Sequence, residues 1–208
     1  MSGDTTKTRR KPASDRKAEI LQTALGLAFE VGPDMVTTAM IAGRLGLTQP
    51  SIYKHFPSKD EIWAQISEHL TARIRVNLER CQAAQMRPDD HIRTQVMDHL
   101  HLLQDAPALP EIMALRDLHN SQNPLRNRIA QTMVGFYALL VEHVKVAQER
   151  GIFRGDIDAN DAATLILGII QSLVFRMILS RNTSKLVPDG ARLLELQLSG
   201  FAPDQVRE

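Results

Sequence analysis

The sequence predicts an all-α fold of about nine helices, on three grounds. Aromatic residues make up only 4% of the 208-residue chain, whereas Leu, Ala, Ile and Met are abundant. Strands draw on aromatic and β-branched residues, so this composition favours helix. Apolar residues recur at helix spacing, and the stripes end at Gly or Pro. No segment alternates apolar and polar residues between hairpin turns.

Ile20, Leu21, Ala24, Leu25, Ala28 and Phe29 form the stripe of a first helix over 14–31. Gly32 supplies a left-handed cap and Pro33 cannot continue the helix. Thr37 or Thr38 caps a short helix that runs to Leu45, and Gly46-Leu47 makes a tight turn. Thr48 is the N-cap expected for a third helix, 49–55, in which Pro50 is tolerated because first-turn N–H groups have no helical partner. After Pro57, Ser58-Lys59-Asp60-Glu61 is a capping box, with the Ser hydroxyl on the Glu61 N–H and the Glu carboxylate reaching back. A long helix follows to about residue 85, where Arg87-Pro88 breaks it. Asp89 to Gln104 reads as helical, and a shorter helix bounded by Pro107 and Pro110 reaches about His119. Residues 121–124 open a long helix with the stripe Leu125, Ile129, Met133, Phe136, Tyr137, Leu140, Val141 and Val144, closed by Gly151. Asp158 caps an apolar helix over 159–181, and Pro188 opens a last helix ending near Gly200.

The segment 162–179 is almost wholly apolar but holds Gln171 and Arg176. It falls short of the ~20 residues a membrane span needs, and a helix buried on two sides reads the same way. A buried helix is the expectation, with no membrane partner. The single Cys excludes a disulfide framework or a CxxC site and suits a reducing, cytoplasmic setting. The first twelve residues have no apolar core, so they are not expected to be a secretory signal.

Net charge is only +1. The first 60 residues nevertheless carry nine Lys and Arg against six Asp and Glu, leaving 16 bases and 18 acids in the rest. A basic end on a mildly acidic body suggests a nucleic-acid contact confined to that end.

Three helices within some 45 residues, the second and third joined by a short Gly-containing turn, form a helix-turn-helix layout. Ala42 lies four residues before Gly46, where the two helices must approach closely. Ile41, Leu45, Leu47 and Ile52 are the expected small core. Gln49, Pro50, Ser51, Tyr53, Lys54 and His55 remain to face DNA. The run TTAMIAGRLGLTQPSIYKHFPSKDEIW at 37–63, with ILQTALGLAFEVG at 20–32, resembles the DNA-binding domain of the tetracycline-repressor (TetR) family.

That resemblance implies three regions: a flexible basic leader over 1–13, a helix-turn-helix domain over 14–60, and an effector-binding and dimerisation domain over 61–208. It implies that Thr38 contacts a phosphate and that Gln49, Pro50 and Ser51 meet base edges. Gln pairs with adenine, and Pro touches a thymine methyl. Tyr53, His55 and Lys59 would hold phosphates, and Lys54 suits either task. Each has a structural alternative: Tyr53 as a cover for the small core, His55 as a helix cap, Lys59 as a solvated charge. The leader is more readily a disordered tail than a minor-groove arm. At Ala39 the sequence departs from relatives that carry a base-reading Arg.

The apolar helix 159–181 needs two buried faces, so a homodimer seam is expected from it and the last helix, through Ile170, Val174, Leu194 and Leu198. The resemblance implies a small-molecule pocket among the middle helices, for which Met113, Arg116, Met133, Phe136, Tyr137, Gln171 and Phe175 are the candidates. No cofactor is expected. No metal site is expected either: His99 and His101 do not share a helix face, and no HExxH is present. Cys81 reads as an inert, half-buried thiol. The function expected is a DNA-binding regulator, a repressor released from a palindromic operator by an effector. Its rivals are an enzyme, for which no GxSxG, phosphate-binding Gly loop or paired-acid site is found, and a helical ligand-binding or architectural protein without operator specificity.

Overall fold

A computed structural model describes residues 12–112 and 124–203, with backbone alone over 124–129. Among the described residues it is all-α: α1 (Ala13–Val31), α2 (Thr38–Leu45), α3 (Gln49–Tyr53), α4 (Lys59–Ala83), α5 (Pro88–Asp105), α6 (Pro124–Glu149), α7 (Ala159–Ser180) and α8 (Leu186–Phe201). A further helical turn starts at Leu109 and runs to the end of that described segment, so the rest of the helix expected to reach His119 lies outside the described residues. So do residues 1–11 of the expected leader. The chain divides into two compact units at Gln65–Ile66.

The first unit is built on Ile20, Ala24, Leu27, Ala28, Val36, Ile41, Ala42, Ile52, Phe56, Ile62 and Trp63, all buried. Leu27 joins the stripe of α1, while Leu45 and Leu47 stay half-buried at its margin. Each turn has a local cause. Gly32, at φ 89°, closes α1 by donating its N–H to Ala28 O at 2.9 Å. Thr37, rather than Thr38, caps α2, its hydroxyl accepting from Met40 N at 3.1 Å. Gly46 ends α2 in the left-handed region at φ 64°, and Leu47 N donates to Ala42 O at 2.8 Å. A β-carbon at that φ would add strain, so Gly fixes the sharp turn into α3. The capping box forms by half: Ser58 Oγ accepts from Glu61 N, but the Glu61 carboxylate turns forward to Gln65 Nε2 at 3.0 Å. The Arg44 guanidinium grips Glu30 by two bonds of 2.9 and 2.7 Å and holds that carboxyl below its usual range.

In the second unit α5 packs against α6 and α8, and α7 lies between α6 and α8. Asp158 caps α7 by accepting from Asn160 N and Asp161 N at 2.7 and 3.2 Å. The inner face of α7 buries Ala159, Ala162, Ala163, Ile166, Ile170, Leu173 and Met177. By length and composition this helix is apolar enough to cross a membrane. Helix α8 begins two residues before Pro188, with the ring inside its first turn. It meets α5 at Gly190, where an added β-carbon would lie 2.2 Å from Leu100 Cδ1. Arg93 on α5 ties the same pair by bonding Glu195 on α8 at 2.6 and 3.1 Å.

Candidate nucleic-acid interface

The turn at Gly46 presents the start of α3 to solvent. Thr48, Gln49, Pro50, Tyr53 and Lys54 are exposed, Ser51 and His55 are half-buried, and Ile52 alone points wholly inward. A five-residue helix anchored by one isoleucine and Phe56 just beyond it therefore offers most of its surface outward. This is a polar face with a single aromatic, the composition that hydrogen-bonding to phosphates and base edges requires.

The side chains on that face are ordered by bonds to α2. Gln49 Nε2 donates to Thr38 Oγ1 at 2.8 Å, and Tyr53 OH lies 3.3 Å from the same oxygen. Thr38 is itself only 6% exposed. The sequence reading placed Thr38 on a phosphate; in this structure it is a buried hub that fixes Gln49 and Tyr53. The Gln49 carbonyl oxygen has no bond here. Thr48 Oγ1 and Ser51 Oγ pair at 2.9 Å on the exposed side. Lys59 is engaged too: its ammonium donates to Val36 O at 2.9 Å and Asp34 O at 3.3 Å, clamping the loop before α2. Two of its three donors are thus used internally, whereas Lys54, just past the end of α3, is exposed to solvent.

The residues expected around an effector scatter. Phe136 is buried and half-buried Met133 lies on the same helix. Tyr137 is spent on a tie between α6 and α7, its OH donating to Asn160 O at 3.0 Å beside Thr164 Oγ1 at 3.1 Å. Gln171 is exposed and Phe175 is 63% exposed on α7, so neither lines an interior wall. Met113 and Arg116 lie outside the described residues. In their place the structure offers an open groove of ≈ 450 Å³ between α4 and α6, lined by residues including Thr71, Arg75, Leu78 and Gln131. Leu78 also borders a small inner cavity with Gln95, His99 and Phe136. Gln95 donates to Phe136 O at 2.7 Å, but its Oε1 and the His99 Nδ1 are buried without a partner. Burial lowers the His99 pKa to about 4. Sequence reading missed Gln95 and His99 as pocket residues. The signal was their four-residue spacing beside Ile92 and Val96, polar groups on a core stripe.

The expected dimer residues need correcting as well. Ile170, Leu194 and Leu198 are 3%, 1% and 3% exposed, packed inside their own protomer, and Val174 is half-buried. The apolar surface left open lies one step around α7, at Leu165, Phe175 and Leu179, with Leu196 on α8. Leu165, Gly168, Ser172, Phe175 and Leu179 follow a three-four spacing, the repeat of a helix–helix seam.

Residues 20–66 match the family model for bacterial regulatory proteins of the tetR family, and residues 66–200 match that for the YsiA-like protein C-terminal region. The chain is 26% identical over 171 residues to the nucleoid occlusion factor SlmA of Photobacterium profundum, covering 80% of this chain and 86% of that one. Its fold resembles the ketosteroid transcriptional regulator KstR2 of Mycobacterium tuberculosis, with a TM-score of 0.76 at 19% identity over 91% of this chain and 96% of that chain. It also resembles the TetR-family regulator PfmR of Thermus thermophilus, with a TM-score of 0.70 at 20% identity over 88% and 99%. With a helix-turn-helix unit that matches the tetR-family model and a helical body that matches the YsiA-like C-terminal region, the chain belongs to the TetR family of transcriptional regulators.

Proposed function

We propose that this protein is a cytoplasmic repressor that binds a palindromic operator as a homodimer and is released by a small apolar molecule carrying a polar group. The observation that carries the DNA reading is the α3 face, where Gln49 and Tyr53 are held by one buried Thr38 hydroxyl. Side chains fixed in advance lose less entropy on binding, so a five-residue reader gains specificity from them. Gln49 and Pro50 take the base edges, with Ser51 beside them. Lys54, Tyr53 and His55 take phosphates, and Thr38 and Lys59 position the reader.

One such reader contacts few bases, so a second copy about 34 Å away supplies the remaining affinity. The open apolar side of α7 supports that pairing, since Leu165, Phe175 and Leu179 share one helix face and each is more than half exposed. The effector reading is supported by the groove between α4 and α6, and beside it by two partnerless polar atoms that border a separate small cavity, which shares Leu78 with the groove. Gln95 Oε1 accepts a hydrogen bond and His99 Nδ1 donates or accepts one, so a hydroxyl or carbonyl suits them. The groove runs along α4, which is one continuous helix from Lys59 to Ala83. A ligand that wedges α4 from α6 would shift this helix and with it the fit of paired readers to successive grooves. A coupling of about 1–3 kcal/mol would lower operator affinity about 5- to 150-fold, and the operator would weaken ligand binding equally.

Titration of random duplex DNA at several salt concentrations tests the reading. Steep salt dependence with two chains per duplex supports it. Salt-independent or absent binding contradicts it.

A further inference from the structure

Three helices of the second unit bring one thiol and two imidazoles together. Cys81 lies in the last turn of α4, His91 in the first turn of α5 and His143 in the C-terminal third of α6. Their donor atoms all fall within 4.8 Å of one another. Cys81 Sγ is 3.5 Å from His91 Nδ1. A sulfur and an imidazole nitrogen bound to the same ion at ordinary bond lengths lie about 3.5 Å apart, so this edge is already at coordinating distance. His143 is 8% exposed and its Nε2 is buried with no hydrogen-bond partner. An orphaned imidazole nitrogen costs free energy unless something occupies its lone pair or takes its proton.

We propose that Cys81, His91 and His143 form a binding site for copper(I). Charge selects the cation. One thiolate with copper(I) is neutral, whereas one thiolate with zinc(II) leaves a positive charge in a largely buried place. Zinc also takes a fourth ligand. Asp98, the carboxylate that acts electrostatically on Cys81, is held by Arg80. Copper(I) is satisfied by three soft or borderline donors and needs no such addition.

The unbound geometry has a simple relation to the bound one. The His91 and His143 rings stack at 4.5 Å, 8° from parallel. Parallel rings do not aim their in-plane lone pairs at one point, so binding must exchange the stack for a tilt of one ring. His91 is the ring that moves: it is half-exposed, while His143 is enclosed. The half-exposed position of His91 gives the ion its way in. An ordinary cysteine is a protonated thiol at neutral pH. Binding therefore forms an S–Cu bond, breaks the S–H bond and releases one proton to solvent per ion, with no change of oxidation state. The site would fasten the end of α4 to α5 and α6.

Anaerobic titration of the full chain against copper(I) held by bicinchoninate tests this. The chain should withdraw one copper, release one proton, gain a thiolate-to-copper absorption in the near ultraviolet, and show one sulfur and two nitrogens around copper by X-ray absorption. Cys81→Ser and His143→Asn should lose the withdrawal. His91→Ala, at a half-exposed position, should lose it while keeping the circular dichroism spectrum of the folded helical chain. The proposal is overturned if bicinchoninate keeps the copper, if X-ray absorption finds no sulfur ligand, if folded Cys81→Ser binds as tightly as the parent, or if zinc binds in preference to copper.

Discussion

Acidification should act on the body of this protein through His99. The ring lies against Phe136 at a centroid distance of 4.9 Å, and its Nδ1 is sealed from solvent without a partner. Desolvation disfavours the imidazolium and lowers the pKa to about 4 from the ordinary histidine value of 6.5. The sign follows from linkage. The unfolded chain takes up this proton near pH 6.5, while the folded chain resists until about pH 4. Stability from neutral His99 is therefore complete above pH 6.5 and is lost as pH falls towards 4. Each unit of difference is worth about 1.4 kcal/mol, so going from pH 7 to pH 5 removes roughly 2 kcal/mol through this one group. Urea unfolding followed by circular dichroism at pH 7, 6 and 5 reads the loss. The parent should lose roughly 2 kcal/mol more over that range than His99→Gln, whose side chain does not titrate. Equal losses in both chains would show that His99 is not held neutral by burial.

Gln49→Ala should relax preference at one base pair of each half-site and cost about 1–3 kcal/mol on the preferred operator alone, whereas Lys54→Ala should weaken all DNA alike and lower the salt slope by about one; gel-shift titrations at several salt concentrations separate the two. Phe175→Glu should yield a folded monomer by light scattering, while Ile170→Glu should unfold the chain, because the first faces solvent in one protomer and the second sits in its core. Gly190→Ala should cost about 1–3 kcal/mol in urea melts, since Leu100 has no exposed space to yield into.

Much of the reader was legible because its instructions are local. Thr37, Gly46 and Ser58 act on backbone atoms a few residues away, so their spacing alone located the turns that aim α3. What failed needed the neighbours of a helix. On α7 apolar residues occur on every side of the helix, and only its packing on α6 and α8 decides that Ile170 and Leu173 face inward while Leu165 and Phe175 face out. The three-four repeat of Leu165, Gly168, Ser172, Phe175 and Leu179 was present in the sequence but hidden among equally apolar neighbours. The bonds of Thr38 were not legible, because a threonine beside a helix start suits a phosphate or a buried bond equally well, and only the positions of Gln49 and Tyr53 reveal the bonds its hydroxyl makes here. Cys81, His91 and His143 come from three helices, so no sequence spacing connects them.

The central claim is that two copies of this chain read DNA as a symmetric pair through α3. Selection of bound sequences from a random duplex library, with the untagged full-length protein, tests it most directly. The claim predicts enrichment of an inverted repeat whose half-site centres are one helical turn, ~34 Å, or a multiple of it apart, with Gln49→Ala losing one position from each half. An asymmetric motif, or no enriched motif from protein that binds the library tightly, would contradict it.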